Sequence, residues 1–273
     1  MVSKKQEEHY VRALGRAFAG AVIFAFPLLM TMEMWELGFY MSRHRLVLFV
    51  LVTLPMLVLL SYYSGFQRTH CWRDDIMDAL TAYAVGFLAS AALLLLFGIV
   101  QWNMPASEIV GKIVLQSVPA SIGAMLARRQ LGEGDGPDEE ERKEATYLGE
   151  LFLMSVGALF VGFNVAPTEE MVLISYKMTA WHTAALALLS IGVMHAFVYT
   201  VGFEGQESMG DSPPHSAFLR FTLVGYGLAL LISLYLLWTF ERTAGMSASE
   251  LVRTVVVLGF PGALGAATAR LIV

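Results

Sequence analysis

The chain has 273 residues, of which 56% are hydrophobic and only 15% are charged. An ordinary soluble domain carries about 25% charged residues, so this composition argues against a soluble globular protein. The net charge of -5 says little about partners, but no basic tract suggests nucleic acid, and a single cysteine, Cys71, excludes an internal disulfide bond.

Long apolar segments recur along the chain and predict membrane-spanning helices. A helix needs about 20 predominantly apolar residues to cross the hydrocarbon layer, because it rises about 1.5 Å per residue. A closed barrel would instead need strands of about 10 residues with alternating polarity, and the sequence lacks that pattern. We therefore predict an all-α membrane protein with eight transmembrane helices at 14–40, 46–63, 76–102, 108–126, 148–174, 179–201, 218–240 and 251–273.

The second half of the chain repeats the first. Residues 106–128 (ASEIVGKIVLQSVPASIGAMLAR) and 248–270 (ASELVRTVVVLGFPGALGAATAR) align without a gap at an offset of 142, with 10 identities in 23 positions. The identities include Ser, Glu, Pro, Gly and Arg, which two unrelated apolar helices would not share in register. We predict two tandem four-helix repeats, 11–128 and 148–273, in parallel orientation, joined by an acidic linker at 129–147.

The placement of Lys and Arg predicts the orientation of the chain in the membrane. With the N-terminus in the cytoplasm, 12 of the 18 Lys and Arg residues fall on the cytoplasmic side and 6 on the other. Basic residues favour the cytoplasmic side of short loops. Both termini and the linker are therefore expected to be cytoplasmic.

The first and fifth segments each contain a proline followed by acidic residues. Proline removes a backbone hydrogen bond and kinks or ends a helix. Corresponding interruptions in two halves of a membrane protein point to a transport site. We predict helix breaks at Pro27 and Pro167, and an ion-binding or pore site from the polar residues around them: Thr31, Glu33, Glu36, Asn164, Thr168, Glu169 and Glu170.

Two interpretations of these glutamates stay open. Carboxylates within the bilayer should face the bundle interior, where rings of them attract cations, and Glu33 with Glu170 would then pair near the pseudo-twofold axis. Alternatively, they lie at the outer interface, since Glu33 is about 25 Å along a helix from Arg16. Glu108 and Glu250 each follow a serine, and we interpret them as acids that stabilise helix N-termini.

The segments TMEMW at 31–35 and NVAPTEE at 164–170, within a duplicated eight-span chain, resemble a family of bacterial integral membrane proteins known only as a domain of unknown function. The resemblance covers nearly the whole chain. It implies a location in the bacterial inner membrane, and it implies no substrate and no catalytic residues.

These patterns favour a non-enzymatic cation channel or transporter, moving protons or a metal cation, that uses the glutamates after the two proline breaks. The alternative is a membrane sensor or assembly scaffold that transports nothing. The expected partners are the lipid bilayer and a small cation, without a cofactor, while the ion, the driving force and a homo-oligomer stay open.

Overall fold

The computed structural model describes residues 4–64, 72–130, 147–201 and 218–272. The described residues form helices joined by short connections. In chain order the helices are α1 (Lys4–Leu29), α2 (Met32–Tyr40), α3 (Arg43–Ser64), α4 (Trp72–Leu96), α5 (Ala106–Gln130), α6 (Tyr147–Val165), α7 (Glu169–Lys177), α8 (Ala180–Val201), a π-helix (Phe218–Leu223) that continues into α9 (Val224–Thr239), and α10 (Ala248–Ile272).

Eight helical segments in the described part of the chain are long and apolar enough to cross a membrane. Their bounds are Val11–Leu29, Arg43–Tyr63, Trp72–Leu96, Ala106–Ala127, Tyr147–Val165, Ala180–Phe197, Phe218–Thr239 and Ala248–Ala269. Large apolar side chains such as Leu88, Leu188 and Leu231 are exposed on these helices, as lipid-facing residues would be. The predicted all-α class and the eight spans are confirmed.

Three predicted spans were too long. The segment 14–40 covers the later part of α1 and the separate nine-residue helix α2, and 148–174 covers nearly all of α6 and most of α7, which also has nine residues. The segment 76–102 ends early because α4 stops at Leu96, and Gly98 (φ 71°) turns the chain in the left-handed region that glycine favours. Hydropathy continued through these breaks because the residues around them are themselves apolar.

The chain divides into two compact units, Met1–Gly136 and Pro137–Val273. The division falls within the predicted linker at 129–147, of which residues 131–146 lie outside the described residues. In unit 1, α1, α2, α3 and α4 all pack against α5; in unit 2, α6, α7, α8 and α9 all pack against α10. In its described residues, each unit therefore has four α-helices packed around its own last helix, with the nine-residue helix second in order.

In each unit, glycines allow the first and the last helix to approach each other closely. In unit 1, a Cβ added to Gly20 of α1 would lie 2.5 Å from the carbonyl oxygen of Gly123 in α5. In unit 2, a Cβ added to Gly157 of α6 would lie 2.2 Å from the carbonyl oxygen of Gly265 in α10. Small residues let helix backbones approach closely, which favours packing in a membrane.

Candidate functional site

The break between α1 and α2 is held by side chains that bond the last carbonyl groups of α1. Pro27 has no N–H group, and α1 ends two residues later at Leu29. The Thr31 hydroxyl donates to the Pro27 carbonyl oxygen at 2.9 Å, and the Trp35 indole N–H donates to the Leu29 carbonyl oxygen at 2.9 Å. These bonds satisfy carbonyl groups that a helix end leaves without a helical partner.

The break in unit 2 has the same position in the helix order but different partners. Here α6 ends at Val165, before Pro167, and the Thr168 hydroxyl donates to the Val165 carbonyl oxygen at 2.8 Å. The Arg242 guanidinium donates to the Pro167 carbonyl oxygen, and Arg253 Nη1 donates to the Met178 carbonyl oxygen at 3.1 Å. Two arginines therefore hold the connections on either side of α7.

The predicted carboxylates lie on the two short helices. Glu33 is in the first turn of α2, and Glu169 and Glu170 are in the first turn of α7. Glu33 is half-buried, whereas Glu169 and Glu170 are exposed. Negative charge at a helix N-terminus is stabilised by the helix dipole, so this placement also gives all three glutamates a local structural role.

Asn164 lies in the last turn of α6, close along the chain to Thr168. Its Nδ2 donates to the Phe160 carbonyl oxygen at 2.9 Å, while its Oδ1 is enclosed and accepts no hydrogen bond from the described residues. The protons of the Thr31 and Thr168 hydroxyls are used on local carbonyl groups. These threonines can therefore offer only oxygen lone pairs to a ligand.

A cavity of about 820 Å³ lies in unit 1, beside the α1–α2 break. Such a volume falls in the range of small-molecule sites, about 300–1,000 Å³. Its walls come from the end of α1, from α2, from the turn after α4 and from the start of α5. The apolar lining consists mainly of aromatic and sulfur-containing side chains: Met30, Met32, Trp35, Phe39, Tyr40 and Phe97.

Three charged side chains line this cavity: Glu36 of α2, and Glu108 and Lys112 of α5. Lys112 Nζ lies 2.6 Å from Glu108 Oε1, and the two side chains are only 10% and 16% exposed. Glu36 is exposed and forms no ion pair with a described residue. The ion pair neutralises Glu108, which leaves the cavity with one net negative charge.

Glycine fixes the position of Lys112. A Cβ added to Gly38 of α2 would lie 2.6 Å from Lys112 Cγ, and one added to Gly111 would lie 2.1 Å from the Gly38 carbonyl oxygen. The first carbon atoms of the Lys112 side chain therefore pack directly on the backbone of α2. Because its stem has little room, the ammonium group stays near Glu108.

Of the seven predicted site residues, the structure brings only Glu36 into the cavity. Sequence reasoning missed Glu108 and Lys112, because Glu108 was interpreted as a helix-capping acid. That interpretation fits Glu250, whose Oε2 accepts from the Ser247 backbone N–H at 2.7 Å, although the capping serine was expected to be Ser249. The signal that separates the two glutamates is the lysine one helical turn after Glu108, where unit 2 has Thr254.

Among the described residues, no group of three or more His, Cys, Asp or Glu side chains is arranged to hold a metal ion. The comparison with protein families gives one match. A family model described as "Putative integral membrane protein (DUF2391)" matches residues 13–273. The chain belongs to this family. It is therefore a multi-pass integral membrane protein, consistent with the eight apolar helices. No curated protein and no solved structure matches the chain.

Proposed function

We propose that this DUF2391 protein is a cation channel or transporter in which the carboxylates beside the helix break of each unit attract the cation. The observation that carries the proposal is the unit 1 cavity, where Glu36 contributes an exposed carboxylate to a large space beside an interrupted helix. Carboxylates that line an opening attract and select cations.

The helix breaks support transport in a second way. In each unit, the first long helix ends near a proline and a nine-residue helix with glutamate in its first turn follows. Interrupted helices in corresponding positions of two halves are a known arrangement around transport sites. We propose that Glu33 in unit 1 and Glu170 in unit 2 have the same role, with Thr31, Asn164, Thr168 and Glu169 as neighbouring polar groups.

We also propose that the chain arose as two tandem repeats in parallel orientation. The shared order of helices and the packing of each unit around its last helix support this. The glycine crossing supports it further, because Gly20 and Gly157 are 137 residues apart and Gly123 and Gly265 are 142 apart. The first offset is also that between Thr31 and Thr168, and the second is that between the last helices of the two units.

The protein is proposed to lie in the bacterial inner membrane with both termini in the cytoplasm. The excess of Lys and Arg on that side supports this orientation. In unit 1, α2, the cavity and the start of α5 would then face the periplasm. A non-enzymatic role, with the bilayer and a small cation as the partners, completes the proposal.

A second function, a sensor or scaffold without transport, is favoured by one observation. Glu33, Glu169 and Glu170 lie where a helix dipole stabilises negative charge, so stability alone accounts for their position. In that case the short helices would present an acidic surface to another protein and no cation would cross.

Flux in proteoliposomes decides between the two functions. Purified protein is reconstituted, and the movement of K⁺, Na⁺ and H⁺ is followed with ion-selective dyes against liposomes without protein. The proposal expects protein-dependent movement of at least one cation and none of chloride. Absence of cation flux, with the protein shown to be folded and inserted, would favour the sensor or scaffold.

A further inference from the structure

We infer that the cavity of unit 1 binds a monovalent organic cation with an apolar body, of the lipophilic ammonium or phosphonium class. This inference goes beyond the proposed function, because it concerns the binding of an organic cation in the cavity and does not depend on the transport of an inorganic one.

The net negative charge of the cavity indicates that its ligand is positively charged. Two carboxylates, Glu36 and Glu108, face one ammonium, Lys112, and that ammonium lies 2.6 Å from Glu108. The pair is compact and largely buried, so Lys112 offers little attraction to an anion. The remaining charge is on the exposed carboxylate of Glu36, which can attract a ligand with one positive charge.

The apolar walls of the cavity indicate that most of the ligand is apolar. Met30, Met32 and Phe39 line the cavity and are 57%, 58% and 68% exposed, so an apolar ligand in the cavity can contact them. Trp35 is held in place by its bond to Leu29, so its ring is a preformed wall. Aromatic faces also attract cations directly, and methionine adapts to ligands of different shape.

The corresponding place in unit 2 lacks these features. At the repeat offsets, Glu36 corresponds to Leu173 and Lys112 to Thr254. Pro167, which corresponds to Met30, has its carbonyl oxygen bonded by the Arg242 guanidinium. Unit 2 therefore has a guanidinium beside the position of Met30 and lacks the carboxylate of Glu36, so the organic-cation site belongs to unit 1.

Two probes of the same shape and opposite charge test the inference. Equilibrium dialysis of the purified protein in neutral detergent measures binding of tetraphenylphosphonium and of tetraphenylborate, with protein-free micelles as the blank. Tetraphenylphosphonium should bind at least tenfold more tightly than tetraphenylborate. Equal binding of the two would overturn the inference, because an apolar surface alone would then account for it.

Substitution locates the site. Glu36→Gln should weaken tetraphenylphosphonium binding about tenfold, as expected for the loss of one nearby charge. Glu250→Gln in unit 2 should leave it unchanged, since that glutamate caps α10. If Glu36→Gln does not fold, Phe39→Ala replaces an exposed side chain and should weaken binding about fivefold. Unchanged binding in a folded variant at either position would reject the site.

A soluble short-chain phosphatidylcholine tests whether the cation is a lipid head group. It carries a quaternary ammonium beside a phosphate, and the phosphate would meet Glu36 and Glu108, so it should not displace the probe. Displacement at equal concentration would overturn the assignment to a free organic cation. Probe binding without flux of any inorganic cation would reject the proposed transport and support this site. Flux of an inorganic cation without probe binding would support the proposed transport and reject this site.

Discussion

Gly20 of α1 and Gly123 of α5 lie backbone against backbone in unit 1. A Cβ on Gly20 would come 2.0 Å from the Cβ of Ala127 and 2.5 Å from the Gly123 carbonyl oxygen. Neither neighbour is the flexible end of a long side chain, so neither can move aside without shifting a helix. This crossing holds together the first and last helices of the unit whose cavity contains Glu36.

Gly20→Ala is expected to destabilise the protein by about 1–3 kcal/mol, the usual cost of overpacking a tight contact. Unfolding in a denaturing detergent, followed by circular dichroism, measures the change. Gly15→Ala is the matched control, because it lies on the same helix and a Cβ there meets nothing within 4 Å. If Gly20→Ala were as stable as Gly15→Ala, the close packing of α1 on α5 would be wrong.

The equivalent test in unit 2 uses Gly265, whose added Cβ would lie 2.3 Å from the Gly157 carbonyl oxygen. Gly265→Ala should cost about as much as Gly20→Ala if the two units are repeats of one design. Gly227→Ala, with nothing within 4 Å, should be neutral or slightly stabilising, since alanine favours helix over glycine. A large cost in one unit and none in the other would argue against the duplication.

Labelling of single cysteines with a membrane-impermeant maleimide tests the orientation. In a Cys71→Ser background, Asn103→Cys lies in the exposed connection between α4 and α5 and should be labelled from the periplasm. Gly134→Cys, in the predicted linker, should be labelled only after the inner membrane is permeabilised. The opposite pattern would place both termini and the linker in the periplasm.

The transport interpretation of the first-turn glutamates can be separated from the structural one. Glu33→Gln and Glu170→Gln keep the side-chain size and remove the charge. If these groups attract cations, each variant should lower cation flux several-fold. If they only stabilise the short helices, flux should be unchanged and the free energy of unfolding should fall by about 0.3–1 kcal/mol.

The sequence predicted the elements that depend on composition and local pattern. Eight apolar segments gave the eight spans, and Pro27 and Pro167 marked both breaks. The predicted spans 14–40 and 148–174 ran past the ends of α1 and α6 because apolar residues continue beyond both breaks. At these breaks Thr31 and Thr168 bond the preceding carbonyl groups and a new helix begins.

The cavity was beyond prediction from the sequence for a different reason. It depends on contacts between residues far apart in the chain, such as Gly38 of α2 against Lys112 of α5. Glu108 and Glu250 both follow Ala-Ser, and the packing of α2 on α5 makes Glu108 a lining residue. The pair of Gly20 and Gly157 could have been found from the sequence, because these two glycines are 137 residues apart, as are Glu33 and Glu170.

Cation flux in proteoliposomes that contain the Glu36→Gln variant tests whether the Glu36 carboxylate attracts the transported cation. Wild-type protein and the control Glu250→Gln are reconstituted at the same density, and the flux of K⁺, Na⁺ and H⁺ is compared with that of Glu36→Gln. We expect the wild type and the control to transport a cation equally and Glu36→Gln to lose about nine-tenths of that flux. Equal flux in all three proteins would show that Glu36 has no role in transport.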